Sequence, residues 1–195
     1  MSIKETVPVA RDITLPERPA EVTNSAGAKA LAVLRIVLGL MFLWAFLDKL
    51  FGLGYATKHA QAWINGGSPT KGFLSHVEVG PLQDVLRSWA GAPWADWLFM
   101  LALLGLSVAL ILGIGLRVAA VAGFFLLGFM WLAEWPLARF DSTGAATSSS
   151  NPIIDYHFIY FFTLVTFALT AAGNTWGLGR QWAKLPIVQQ NPWLR

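Results

Sequence analysis

Residues 31–51 read LAVLRIVLGLMFLWAFLDKLF, a run of 21 that charge interrupts only at Arg35 and at Asp48-Lys49. A helix rises about 1.5 Å per residue and a bilayer core is about 30 Å thick, so this run is long enough to cross a membrane. Its charges then constrain the rest of the chain. A charge at membrane depth costs at least a few kcal/mol and faces protein or water, usually with a partner. At about 100° per residue, Arg35, Gly39, Phe42, Phe46 and Lys49 fall near one stripe. Arg35 and Lys49 are long enough to snorkel to the interface instead. Asp48 reaches less far, which makes it the stronger functional candidate.

Composition supports the membrane reading. Of 195 residues, 55% are hydrophobic and 13% charged, about half the charged share of a soluble domain. The length suits one membrane domain. The chain has no cysteine, which excludes a protein dithiol relay, a thiolate-held iron–sulfur cluster and a protein persulfide. Its histidines, His59, His76 and His157, lack the i, i+4 spacing of metal ligands on one helix face, so neither metal nor haem is expected. The net charge of +3 comes without a basic, aromatic-interleaved run, which argues against nucleic acid. Many of the ten tryptophans flank apolar runs, where indoles favour the membrane interface.

The expected fold is an all-α membrane protein: a four-transmembrane-helix antiparallel bundle with a long, partly helical loop between helices 1 and 2. Residues 1–27 read as a polar tail and residues 183–195 as a basic one. Between them, residues 28–182 form the membrane domain, with spans at about 31–51, 94–114, 117–135 and 153–172. The first span starts late and is long, so it reads as retained rather than as a cleaved signal. In the loop, Gly66, Gly67 and Pro69 mark a turn between short amphipathic helices at about 60–64 and 82–89. Gly105, Ala109 and Gly113 recur as a small-residue stripe suited to close helix approach. Residues 142–150 read as a solvated linker. Asn151-Pro152 reads as the start of the last helix, with Asp155 in its first turn near the positive dipole end. Thr163, Thr166 and Thr170 share a packing face. Four spans place both termini on one side, which carries eight basic residues against five on the other. That predicts a plasma-membrane protein with cytoplasmic termini.

This topology brings Asp48, Lys49, Glu134, Asp155 and His157 to one membrane boundary, under the loop that carries Lys58 and His59. Carboxylates, a histidine and lysines at such a boundary suit proton exchange. A quinone reaches the site through lipid and needs donors for its carbonyl oxygens. His157, Lys49, Tyr156 and Trp44 are the candidate donors, with Asp48, Glu134 and Asp155 as proton relays. A small oxyanion would use Lys49, Lys58, Lys71 and Arg139. The candidate catalytic residues are therefore Asp48, Glu134, Asp155 and His157. The candidate substrate-binding residues are Arg35, Lys49, Lys58 and His59.

The first-helix pattern LRIVLGLMFLWAFLDKLFG resembles the DoxX/DoxD membrane-protein family. The likeness continues in AWINGGSPTKGFL, DWLFMLALLGLSVALILGIGLRVAAVAG, MWLAEWP, NPIIDYHFIY and AAGNTWGLGRQW, over about residues 31–188. The long first loop places it nearer the DoxD-like branch. The resemblance implies four membrane helices and an association with thiosulfate:quinone oxidoreductase. In that enzyme two thiosulfates are joined to tetrathionate, a quinone takes the electrons, and a DoxA-type chain is the partner. Two further readings stay open: a non-catalytic membrane subunit that docks a soluble redox or sulfur-transfer protein, and a small-anion transporter. Lipid surrounds the chain in all three, and a homo-oligomer is compatible with each.

Overall fold

A computed structural model describes residues 21–195. The expected tail at 1–27 lies mostly outside them. The elements are α1 (Ser25–Phe51), α2 (Lys71–Leu74), α3 (Gln83–Ser88), α4 (Pro93–Leu112), α5 (Leu116–Glu134), α6 (Tyr156–Leu169), α7 (Gly179–Trp182) and α8 (Pro186–Gln190), joined by short 3-10 turns. Among the described residues the extended pairing amounts to one isolated bridge, Phe140 to Ala146.

Among the described residues α1, α4 and α5 are long and apolar enough to cross a membrane. At 27 residues α1 is about 40 Å long. The last helix corrects the expected span of 153–172. Its 14 residues reach only about 21 Å. Asn151 does not cap it: its side chain accepts from Ile153 N and Ile154 N, closing a turn one step earlier. The cap is Asp155, which accepts from His157 N at 3.0 Å. That leaves Ile153 and Ile154 ahead of the helix rather than in it.

The helices pack chiefly as two pairs, α1 with α4 and α5 with α6, joined through α4 and α5. Leu38 and Phe42, Leu103, Leu106 and Leu110, Leu127, and Leu164 and Phe167 fill the centre. Their i, i+3, i+4 spacing is that of one helix face. The opposite faces are apolar too. Val33, Val37 and Leu40, then Leu98 and Leu101, then Phe124, Phe125 and Phe129, then Ile159 and Phe162 are all exposed. An apolar exterior of this extent is a lipid-facing belt.

The small-residue stripe marks close approach only in part: a Cβ on Gly113 would come within 2.8 Å of Gly173 Cα. A Cβ on Gly105 would meet open space, whereas on Gly39 it would come within 3.0 Å of the backbone nitrogen of Ile111. Gly39 is what lets α1 lie against α4. Turns at Gly113 and Gly115, both with positive φ, join α4 to α5 as expected.

The long loop is built. Gly66 turns it at φ +83°, and the N–H of Gly67 closes back on Ala62 O. Leu86 and Val77 are buried against Ala133 of α5, with Leu82 and Trp89 partly buried beside them, while Val85 faces out. The 142–150 stretch is likewise no free linker. Asp141 accepts from Thr143 and Ala145, and the Thr143 hydroxyl holds its carboxyl below the usual range. Thr147 Oγ1 donates to Ala138 O. The C-terminal stretch also folds back: Val188 is buried, and Trp182 Nε1 donates to Leu194 O at 2.7 Å.

Gly39→Val therefore lowers the thermal midpoint in detergent, by overpacking on the order of 1–3 kcal/mol. Gly105→Ala leaves it unchanged or slightly raised, because nothing opposes its methyl and the helix gains propensity. Circular dichroism melts of the two variants measure the difference.

Candidate functional site

The polar side chains of the bundle gather at its two ends. At the end bearing the termini, Arg35 is fully buried. Its Nη1 donates to Leu110 O and, at 3.1 Å, to Ile111 O, two carbonyls in the last turn of α4. Its Nη2 donates to Thr175 O at 3.2 Å and Trp176 O at 3.1 Å, in the chain after α6. This corrects two expectations. The residue does not snorkel, and its fork is spent on backbone rather than held for a substrate. A lysine cannot span four carbonyls. Arg35→Lys thus destabilises the protein by on the order of 3 kcal/mol, two charge-assisted bonds lost. Chemical unfolding in mixed micelles reads that loss.

Between the ends the interior is apolar. Leu38, Phe42, Leu103 and Leu106 fill it, and the hydroxyl of Ser107 is spent on Leu104 O. Among the described residues no continuous polar passage joins Arg35 to Asp48, which opposes the transporter reading.

At the other end the expected site divides. Asp48 is 2% exposed; one oxygen accepts from Tyr55 N at 3.4 Å and the other has no partner. Lys49 holds its ammonium over the ring of Phe99, 5.7 Å from the centroid. Neither is bonded to Glu134, Asp155 or His157. Lys58 and His59 are exposed on the loop, and His59 meets Asn65. They do not line the cleft described below. A buried carboxylate escaped the sequence reading: Asp96, in the first turn of α4. Its Oδ1 accepts from Ser68 Oγ at 2.8 Å, Thr70 N at 3.0 Å and Thr70 Oγ1 at 2.6 Å, which latches the loop to the bundle. The available signal was an acid three residues past Pro93, where a helix start favours one.

The structure does assemble Glu134, Asp155 and His157. One ligand-type atom from each lies within 4.8 Å of the others. Asp155 ends the extended approach to α6 and His157 is the second residue of that helix, so one carboxylate serves both the cap and the imidazole. Its Oδ2 stands 2.9 Å from His157 Nδ1. A carboxylate accepts only, so Nδ1 carries the proton and Nε2 keeps a lone pair in the neutral ring. His157 is 2% exposed, and its Nε2 has no partner. Beside it, Tyr156 Oη donates to Glu134 Oε1 at 2.7 Å, and the Tyr156 ring lies 4.1 Å from the imidazole. Trp131 Nε1 donates to Ile153 O at 3.3 Å, which sets the end of α5 against the start of α6.

Glu134, Asp155 and Tyr156, but not His157, open on a cleft of about 600 Å³ between the loop around Phe73–Val79 and the 146–151 segment. Glu78, Glu134 and Asp155 line it with His76. The cleft is therefore acidic, and it favours protons and cations over a dianion.

Asp155→Asn keeps an N-cap but offers His157 an amide in place of a carboxylate. Nitrogen NMR of labelled histidine checks the consequence: a single Nδ1-protonated tautomer for His157 in the parent and a mixture in the variant.

No curated protein and no solved structure matches the chain. The DoxX family model matches residues 30–135, a stretch that contains α1, the long loop, α4 and α5 with Glu134 and stops short of Asp155 and His157. That stretch is more than half of a helical membrane chain, and the protein belongs to the DoxX family.

Proposed function

We propose that the chain is the membrane subunit of a quinone-linked oxidoreductase, with the Asp155–His157 pair exchanging protons with the quinone head group. The observation that carries the reading is the buried imidazole: one nitrogen is tied to a carboxylate and the other is free, at the polar end of an apolar helix. Reduction of a quinone to quinol takes two electrons and two protons. Protonated His157 presents an N–H to a quinone carbonyl and hands over that proton, and Asp155 stabilises the charged ring meanwhile. The Tyr156 hydroxyl and Glu134 offer a second proton-carrying pair opening on the aqueous cleft.

The electron donor in this proposal is thiosulfate, following the DoxD-like resemblance. Two thiosulfates lose two electrons as one S–S bond forms, which balances the quinone half-reaction. Three carboxylates around the cleft oppose a dianion there, so thiosulfate capture is assigned to a DoxA-type partner. The basic excess on the terminal side supports cytoplasmic termini in the plasma membrane, with the cluster facing outward.

Purified protein, with and without the partner chain, is tested for thiosulfate-dependent reduction of a short-chain quinone. The parent reduces it in the presence of partner, and His157→Gln is slower by about 10²-fold or more. Failure of both preparations removes the enzymatic reading. Full activity in His157→Gln moves the quinone site elsewhere.

A further inference from the structure

We propose that residues 175–195 form a foot in the headgroup layer that binds anionic phospholipid, with Arg180 and Lys184 on the lipid phosphates. The inference goes beyond the quinone reading and does not depend on it.

The depth of the segment comes first. At 20 residues α4 is about 30 Å long, the thickness of a hydrocarbon core, so its end marks where hydrocarbon gives way to headgroups. The turn from α4 into α5 lies at that same boundary. Two contacts hold the later chain there. Leu178 N donates at 2.7 Å to the carbonyl of Leu112, the last residue of α4. Arg117, in the first turn of α5, has its Nη1 3.5 Å from Pro192 O. Arg35 adds a third hold, through Thr175 O and Trp176 O. Between these points the chain is folded: Val188 is buried, and Trp182 Nε1 donates to Leu194 O.

Two kinds of side chain stand out from the segment. Trp176, Leu178, Leu185, Ile187 and Trp193 are exposed although apolar. Indole rings favour the membrane interface, and two of these five are tryptophans. Arg180 and Lys184 lie between them along the chain and are exposed as well. No acidic residue follows Asp155 in the sequence. Among the described residues at this end the one acid is Glu21, which accepts an N–H of Arg180 at 2.9 Å. Both members of that pair are more than half exposed, so it is weak and leaves the rest of the guanidinium fork for a phosphate. Lys184 makes no ion pair among the described residues.

Exposed apolar side chains interleaved with cations, at boundary depth and without acids, make an interfacial anchor. Charge complementarity selects the occupant: an anionic headgroup satisfies the cations while its acyl chains cover the apolar side chains. A soluble protein would lie over the membrane and would not reach side chains level with Leu112.

Binding of phosphatidylglycerol and of phosphatidylcholine to the full chain in mild detergent is compared by native mass spectrometry. Each cation near an anionic lipid surface contributes roughly a 5-fold preference, so phosphatidylglycerol binds tighter by about 10-fold or more. Replacing both cations, Arg180→Gln with Lys184→Gln, cuts that preference by about 5-fold or more. Both side chains are exposed, so the fold tolerates the change. Arg87→Gln removes an exposed cation of the long loop, at the other end, and leaves the preference as in the parent. Equal binding of the two lipids, a preference that survives the double substitution, or displacement by inorganic phosphate alone overturns the assignment. Depth is read separately. The chain has no cysteine, so Leu178→Cys and Trp193→Cys each carry a single nitroxide label. In vesicles of phosphatidylcholine with phosphatidylglycerol, both labels relax more with dissolved oxygen than with a water-soluble nickel chelate. The reverse order places the patch in water, which overturns the proposal and leaves the surface to a soluble protein.

Discussion

A guanidinium buried in an apolar bundle has to spend its donors inside the protein, and Arg35 spends them on carbonyls that would otherwise have no partner. The last turn of α4 leaves its carbonyls unmatched, as every helix end does. Arg35 reaches two of them from the neighbouring helix and two more in the chain after α6. One side chain of α1 thereby ties α4 and the segment following α6 to a common point. Gly113 and Gly173 pack against each other there, with no room for a Cβ on either. In lipid, water cannot stand in for any of these bonds, which is why the clamp organises that whole end.

The opposite end is held by carboxylates. Asp96 latches the long loop through three donors on Ser68 and Thr70, and Asp155 caps α6 while orienting His157. The shortness of α6 matters here. Because the helix starts at Tyr156, its first turn meets the last turn of α5, where Glu134 sits. A helix beginning at Ile153 would have carried Asp155 and His157 a turn further in. The loop's own small core, Val77 and Leu86 on Ala133, completes one wall of the cleft. The quinone proposal draws on this one meeting of two helix ends.

Much of this was legible along the chain. The long apolar runs named the spans of α1, α4 and α5 to within a few residues, and the Gly113–Gly115 turn named the junction between two of them. Asp155 and His157 stood out because charge is costly beside an apolar helix. Lys58 and His59 were legible only as residue types. Their loop lies between Gly52 and Gly66, and nothing in its local pattern told which way it would fold. The stripe of Gly105, Ala109 and Gly113 held at Gly113 and not at Gly105, for a related reason. A small residue permits close approach but does not require it, and the neighbours that used the permission came to Gly113 and to Gly39.

Hydropathy and length by themselves determined that this is a helical membrane protein with an apolar exterior, because lipid leaves a chain of such runs few other states. They also determined that each intramembrane charge needed a partner. Which partner it found was decided by tertiary structure alone. Arg35 met backbone, Lys49 met an aromatic ring, and Asp155 met the imidazole two residues on. The physical reason is that charge cost is a property of a residue and its medium, whereas satisfaction is a property of the atoms that packing brings within about 3 Å.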